Sequence, residues 1–131
     1  MSTIIEALNA KTSLLAGKGV SPEQIAQAEQ ELGLSFSEEY CEYLSTYGIA
    51  AFDGRELTGI TKSKRLNVVF ATLEVRKDYP EMPADLYVLE ETGVEEIIIL
   101  QDSTGAVYRC APNAKLRKIS ESLTDYVSMK Q

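Results

Sequence analysis

Apolar residues recur along the first half of this chain at helical spacing and along the second half in short strand-like runs. Ile4, Ile5, Leu8, Thr12 and Leu15 fall on one side of a helix over Thr3 to Leu15, which Gly17 ends. Ser21 caps a second helix that opens with Pro22, whose missing N–H is no loss at the first position. Gln24, three residues after Ser21, completes a capping box. Ile25, Ala28 and Leu32 form the apolar face of that helix, and Gly33 supplies a left-handed stop. A third helix repeats the pattern. Ser37 caps it, Glu38 and Glu39 fill the acid-favouring first turn, Tyr40, Tyr43, Leu44 and Tyr47 make the face, and Gly48 ends it.

Ala50 to Ile60 follows as a loop, with a short strand over Leu57 to Ile60, and Lys62 to Arg65 is a polar loop. The segment from Asn67 to Asp78 reads two ways. Asn67 can cap a helix carrying Val69, Leu73 and Arg76 or Lys77 on one face, yet Val68, Val69, Phe70 and Val75 favour strand. Beyond it lies an antiparallel meander. Its strands are Leu86 to Leu89, Ile97 to Leu100 and Ala106 to Cys110, with an edge strand over Lys115 to Ile119 guarded by Lys115, Arg117 and Lys118. The turns are Glu90 to Glu95, Asp102 to Gly105 and Pro112-Asn113. The wholly apolar Ile97–Leu100 run fits a central strand covered on both faces. Ser120 or Ser122 caps a closing helix that packs Leu123, Tyr126 and Val127. The class is α+β: N-terminal helices, a mainly antiparallel sheet of four to six strands, and a short C-terminal helix.

Several of these segments, "SPEQIAQAEQELGLSFSEEYCEYLSTYG", "ELTGI", "LYVLEETGVEEIIILQDSTGAVYRC" and "KISESLTDYV", follow one another in an order and spacing that resembles the SUKH superfamily, the Smi/Knr-like proteins. The resemblance runs from about Ser21 to Val127 and implies one such domain over residues 1–131. It departs from the family at Phe36-Ser37, where proline is common before the helix, though serine caps equally well. The resemblance favours helix over strand for Asn67 to Asp78. It also implies a role. Bacterial members commonly neutralise secreted toxins, often nucleases or deaminases, and yeast members are linked to cell-wall regulation.

Charge changes the picture more than composition does. The net charge is −7. Between Gly19 and Gly54 stand Glu23, Glu29, Glu31, Glu38, Glu39, Glu42 and Asp53 with no Lys or Arg. Between Asp78 and Tyr108 stand Asp78, Glu81, Asp85, Glu90, Glu91, Glu95, Glu96 and Asp102, again with no base. Such segments repel a phosphate backbone, so nucleic acid is not the expected partner. They attract a basic protein and speed its encounter. A basic toxin domain that must hold phosphates, such as a nuclease, fits that description.

Candidate chemistry is sparse. Histidine is absent, which excludes conventional triads and the commonest metal ligand. No phosphate loop occurs; Gly54 and Gly59 read as backbone turns. Glu90-Glu91 and Glu95-Glu96 around Gly93 lack the staggered oxygens of a metal loop and read as solvated turn charges. Cys41 and Cys110 read as reduced thiols. Arg76 either grips a carboxylate in a cleft or forms a structural ion pair. No stretch is long and apolar enough for a membrane span, and Met1 to Glu6 does not read as a signal peptide, so the expected location is cytoplasmic.

The expectation is a non-enzymatic immunity protein that occludes the active site of a basic secreted toxin, a nuclease. It needs no cofactor, metal, nucleic acid or membrane. Its partner-binding residues are Glu39, Glu42, Tyr43, Asp53, Glu56, Glu90, Glu91, Glu95 and Glu96. The runner-up is a regulatory or scaffold module related to the cell-wall regulators. A third option, a carboxylate enzyme, requires two acids buried together in a cleft.

Overall fold

The computed structural model describes residues 3–129. The first helix, α1, spans Thr3–Asn9 and buries Ile4 and Leu8. It is shorter than the periodicity predicts. Leu15–Ala16 forms a strand, β1, instead of a last helical turn, and Leu15 is 74% exposed. The reason is tertiary. The Ser13 hydroxyl donates to the Asp53 carboxylate and accepts from the Asp53 N–H, both at 2.8 Å, which holds this segment against a turn forty residues away.

Helix α2 spans Pro22–Leu32 with both halves of the Ser21–Gln24 capping box formed and Gly33 left-handed at its end. Helix α3 spans Glu38–Thr46 under a Ser37 cap and buries Tyr40, Tyr43 and Leu44. Tyr47 lies just past it, partly exposed, with its hydroxyl donating to the Asn9 side chain.

The stretch read as a loop from Ala50 is a hairpin. Strands β2, Ala50–Phe52, and β3, Arg55–Glu56, pair antiparallel across Asp53-Gly54, both at positive φ (51° and 74°). Two left-handed residues are what a two-residue hairpin turn requires. The segment after it, read as a strand from Leu57 to Ile60, instead makes long-range bridges. The Thr58 N–H donates to the Leu89 carbonyl at 2.8 Å, and the Ile60 N–H to that of Gly48 at 3.0 Å. A Cβ on Gly59 would lie 1.9 Å from the Gly48 oxygen, so only glycine allows this crossing.

A 3₁₀ turn at Lys64–Leu66 leads into α4, Val68–Asp78, capped by Asn67. This settles the helix–strand ambiguity, but with a different face. Val68, Ala71, Thr72 and Val75 are buried while Leu73 is exposed. Four strands follow as a meander: β4 Tyr87–Glu91, β5 Ile98–Gln101, β6 Val107–Cys110 and β7 Arg117–Ser120, in that order. Helix α5, Leu123–Ser128, closes the chain under a Ser122 cap.

The protein has an α+β fold with two antiparallel sheets, β1–β3 and β4–β7. The larger sheet is covered on both sides. One face, with Tyr87, Leu89, Ile99 and Val107, joins the core of α1, α2, α3 and α5. The other, with Val88, Leu100 and Cys110, meets Ala71 and Val75 of α4. Interior strand β5 therefore needs apolar residues in both directions, as its sequence predicts. Cys41 packs beside the first core and Cys110 within the second, and both are free thiols.

Candidate functional site

The acids singled out by sequence fall into three groups in space: Glu39 and Glu42 on α3, Asp53 and Glu56 on the β2–β3 hairpin, and Glu90, Glu91, Glu95 and Glu96 on or after β4. Their surroundings divide them further.

Tyr43 and Glu90 are corrections, because both are buried. The Tyr43 hydroxyl donates to the Thr58 carbonyl at 2.8 Å, in a cluster where the Tyr40 ring lies 5.4 Å away. Thr58 spends its own proton on the Val88 carbonyl at 2.7 Å and so accepts from the Tyr40 hydroxyl at 2.8 Å. This network holds α3 to the sheet and leaves Tyr43 no surface to offer. Desolvation raises both hydroxyls well above their ordinary range.

Glu90 is inside because of a β-bulge. The register pairs Val88 with Leu100 but Glu90 with Ile99, so Leu89 is the extra residue. Strict alternation would turn Glu90 toward the face of Val88. The bulge turns it toward that of Ile99, in the first core. There its carboxylate accepts from the Tyr126 hydroxyl at 2.5 Å and meets the Arg55 guanidinium at 3.5 Å. Arg55 is itself held between rings, 4.9 Å from the centroids of both Phe52 and Tyr126. Burial first, then the Glu90 charge, pushes the Tyr126 hydroxyl up. Glu90 is the one buried acid among the described residues, so the paired buried carboxylates an acid–base enzyme would need are not assembled there.

Glu39 is half-buried and committed. It accepts from the N–H groups of Leu123 and Thr124 at 2.8 and 2.9 Å and from the Thr124 hydroxyl at 2.7 Å. It is thus a second cap on the N-terminus of α5. Asp53 and Glu56 are exposed but paired: Asp53 with Ser13 and, at 3.8 Å, Lys11; Glu56 with Arg65 at 3.0 Å. Arg76, read as a carboxylate clamp or ion-pair partner, is neither. Its guanidinium donates to the Leu32 and Ala84 carbonyls, both at 3.0 Å, and ties α2 to the loop before β4.

Four candidates remain exposed, with no hydrogen-bonding or ionic partner for the carboxylate among the described residues: Glu42, Glu91, Glu95 and Glu96. The last three share the β4–β5 turn. Their backbone is unusual, since Gly93, Glu95 and Glu96 all have positive φ (74°, 49° and 59°). Consecutive glutamates in the left-handed region are disfavoured by their Cβ atoms. The turn is nevertheless ordered by Thr92. Its hydroxyl donates to the Ile97 carbonyl at 3.0 Å and accepts from the Val94 N–H at 3.1 Å, while the Thr92 N–H donates to Ile97 at 3.2 Å. Glu91 and Glu96 line a groove of about 350 Å³ with Asp78, Tyr79 and Arg65, the last already engaged by Glu56. Partial burial, then Cys110, then the Glu96 and Asp78 charges raise the Tyr79 hydroxyl. What sequence reasoning missed is the contribution of Asp78 from the far end of α4, thirteen residues before Glu91 and signalled only by its place in the second base-free segment.

Among the described residues no group of His, Cys, Asp and Glu is arranged to hold a metal ion, and no helix is long and apolar enough to cross a membrane. A search of curated proteins found no match. The family model described as SMI1-KNR4 cell-wall, SUKH_5, matches residues 1–130. The chain therefore belongs to the SUKH (SMI1-KNR4) family, and membership supports a role of the immunity-protein or cell-wall-regulator class.

Proposed function

We propose that this protein is an immunity protein that binds a basic secreted toxin domain, a nuclease, and covers its active site with the acidic β4–β5 turn. One observation carries the reading. Glu91, Glu95 and Glu96 stand exposed at one turn with no ion pair to any described residue, while most other candidate acids are paired with groups of this chain. Uncommitted like charges on one turn repel one another, and that cost is recovered when a cationic surface docks. The strained backbone agrees, since left-handed non-glycine residues persist where a fixed side-chain direction is useful. Occlusion would be steric and electrostatic: carboxylates occupy the cationic groove that otherwise holds a phosphate. Asp78 extends the acidic surface, and no chemical step is involved.

The experiment is co-expression with the adjacent open reading frame, scored by growth rescue and co-purification. Rescue by the natural protein and its loss in an E91K/E95K/E96K variant are the expected results. Toxicity unrelieved by the natural protein rejects the immunity reading, and rescue by the variant rejects the site. The cell-wall wording of the family match favours a second reading, a regulatory or scaffold module that presents the same turn to a cellular partner.

A further inference from the structure

On the other flank of the β4–β5 turn lies a groove of opposite character, about 440 Å³ in volume. Its cations are Arg109 and Arg117, which face each other directly across β6 and β7. Like charges at directly opposed strand positions destabilise a sheet unless an anion separates them. Neither arginine makes an ion pair, hydrogen bond or ring contact with any described residue. The walls are apolar. Ile97 and Ile119 line it, and Val94 and Met129 stand at its rim 59% and 40% exposed. Ile99 extends the arginine row across the sheet, paired with Arg109. Among the described residues, Tyr126 and Met129 complete the lining, and the row runs from buried Ile99 through half-buried Arg109 to exposed Arg117.

We infer that this groove is a second binding surface, for an acidic peptide segment of a partner protein. Carboxylates would lie between the two guanidinium groups, each able to accept in two-pronged fashion. An apolar side chain of the same segment would pack on Ile97, Ile119 and Met129. Charge complementarity fixes the sign of the occupant, and the apolar walls fix its kind. A phosphate backbone has nothing to place on isoleucine and methionine. Its cations, Arg109 and Arg117, lie on β6 and β7 and not on the acidic turn, so their test is separate from that of the toxin reading.

The test is fluorescence anisotropy on the full chain with three labelled probes: a peptide of alternating Asp and Leu, its Asn-for-Asp counterpart, and a single-stranded oligonucleotide. Saturable binding of the Asp-Leu peptide alone is expected. Arg109→Gln or Arg117→Gln should weaken it by about tenfold, the equivalent of one lost charge-assisted hydrogen bond. Amide shifts on the natural protein should cluster at residues 94–99, 107–110 and 117–120, a readout that needs no variant to fold. The inference is overturned by no saturation up to about 1 mM peptide, by preference for the oligonucleotide or the Asn peptide, by unchanged affinity in both single variants, or by shifts centred elsewhere.

Discussion

The β2–β3 and β4–β5 hairpins both carry acids at or beside a tight turn, and both turns contain left-handed non-glycine residues. Their acids meet opposite fates. On the first, Asp53 is held by Ser13 and Lys11, and Glu56 by Arg65. On the second, Glu90 is drawn inward to Arg55 and Tyr126, while Glu91, Glu95 and Glu96 are left outside with no hydrogen-bonding or ionic partner for the carboxylate among the described residues. Acidity along the chain therefore does not separate carboxylates engaged by the fold from those left unengaged, and only the latter enter the proposed surface.

If Glu90 belongs to the core, removing it must unfold more than it frees. Glu90→Ala leaves the buried Arg55 charge uncompensated, so denaturation should show a loss of about 3–5 kcal/mol. A loss near zero would return Glu90 to the surface group. Alkaline pH probes the same core. Tyr40, Tyr43, Tyr87 and Tyr126 are all raised by burial above the ordinary tyrosine value. The folded state therefore holds these protons more tightly than the unfolded state does. The resulting stability is fully present below about pH 10 and falls above it, by up to about 1.4 kcal/mol per pH unit for each tyrosine. Tyrosinate absorbance should rise together with loss of structure; titration of these four rings in a still-folded protein would refute the burial.

Glu39→Ala removes a double cap from α5 and should cost about 1–2 kcal/mol by thermal or chemical denaturation. It should leave the partner's affinity unchanged; a tenfold loss of affinity would put Glu39 back at the interface. The smallest effect is the most discriminating for the turn. Glu95→Gly and Glu96→Gly relieve left-handed strain, and each should raise stability by up to about 1 kcal/mol while weakening partner binding. Stability gained with binding intact would mean that the strained backbone serves no contact.

Much of this was legible in the sequence wherever local chemistry decides the outcome. Ser21 with Gln24, Ser37 and Asn67 mark their helices because a cap acts on neighbours three residues away. The Asp53-Gly54 dipeptide is a hairpin signal, but the strands it joins are only three and two residues long, too short to show an alternating pattern. Contacts between distant segments were not legible. Nothing near Ser13 announces that Asp53 will end the helical pattern before Leu15. Nothing near Tyr43 names the Thr58 carbonyl as its acceptor. The inward turn of Glu90 depends on one bulged residue, Leu89, whose carbonyl accepts from the N–H of Thr58, thirty-one residues earlier. Glu91, Glu95 and Glu96 stood out as part of a base-free acidic segment, but their lack of ionic partners among the described residues became visible only in three dimensions.

The two hairpins can be compared on one scale by calorimetric titration of the cognate toxin into two charge-reversal variants, E91K/E95K/E96K and D53K/E56K. The account predicts that the first loses at least about a hundredfold in affinity and the second less than about threefold, with both folded. Equal losses, or a larger loss in the second, would contradict the claim that the uncommitted acids of the β4–β5 turn are the binding surface.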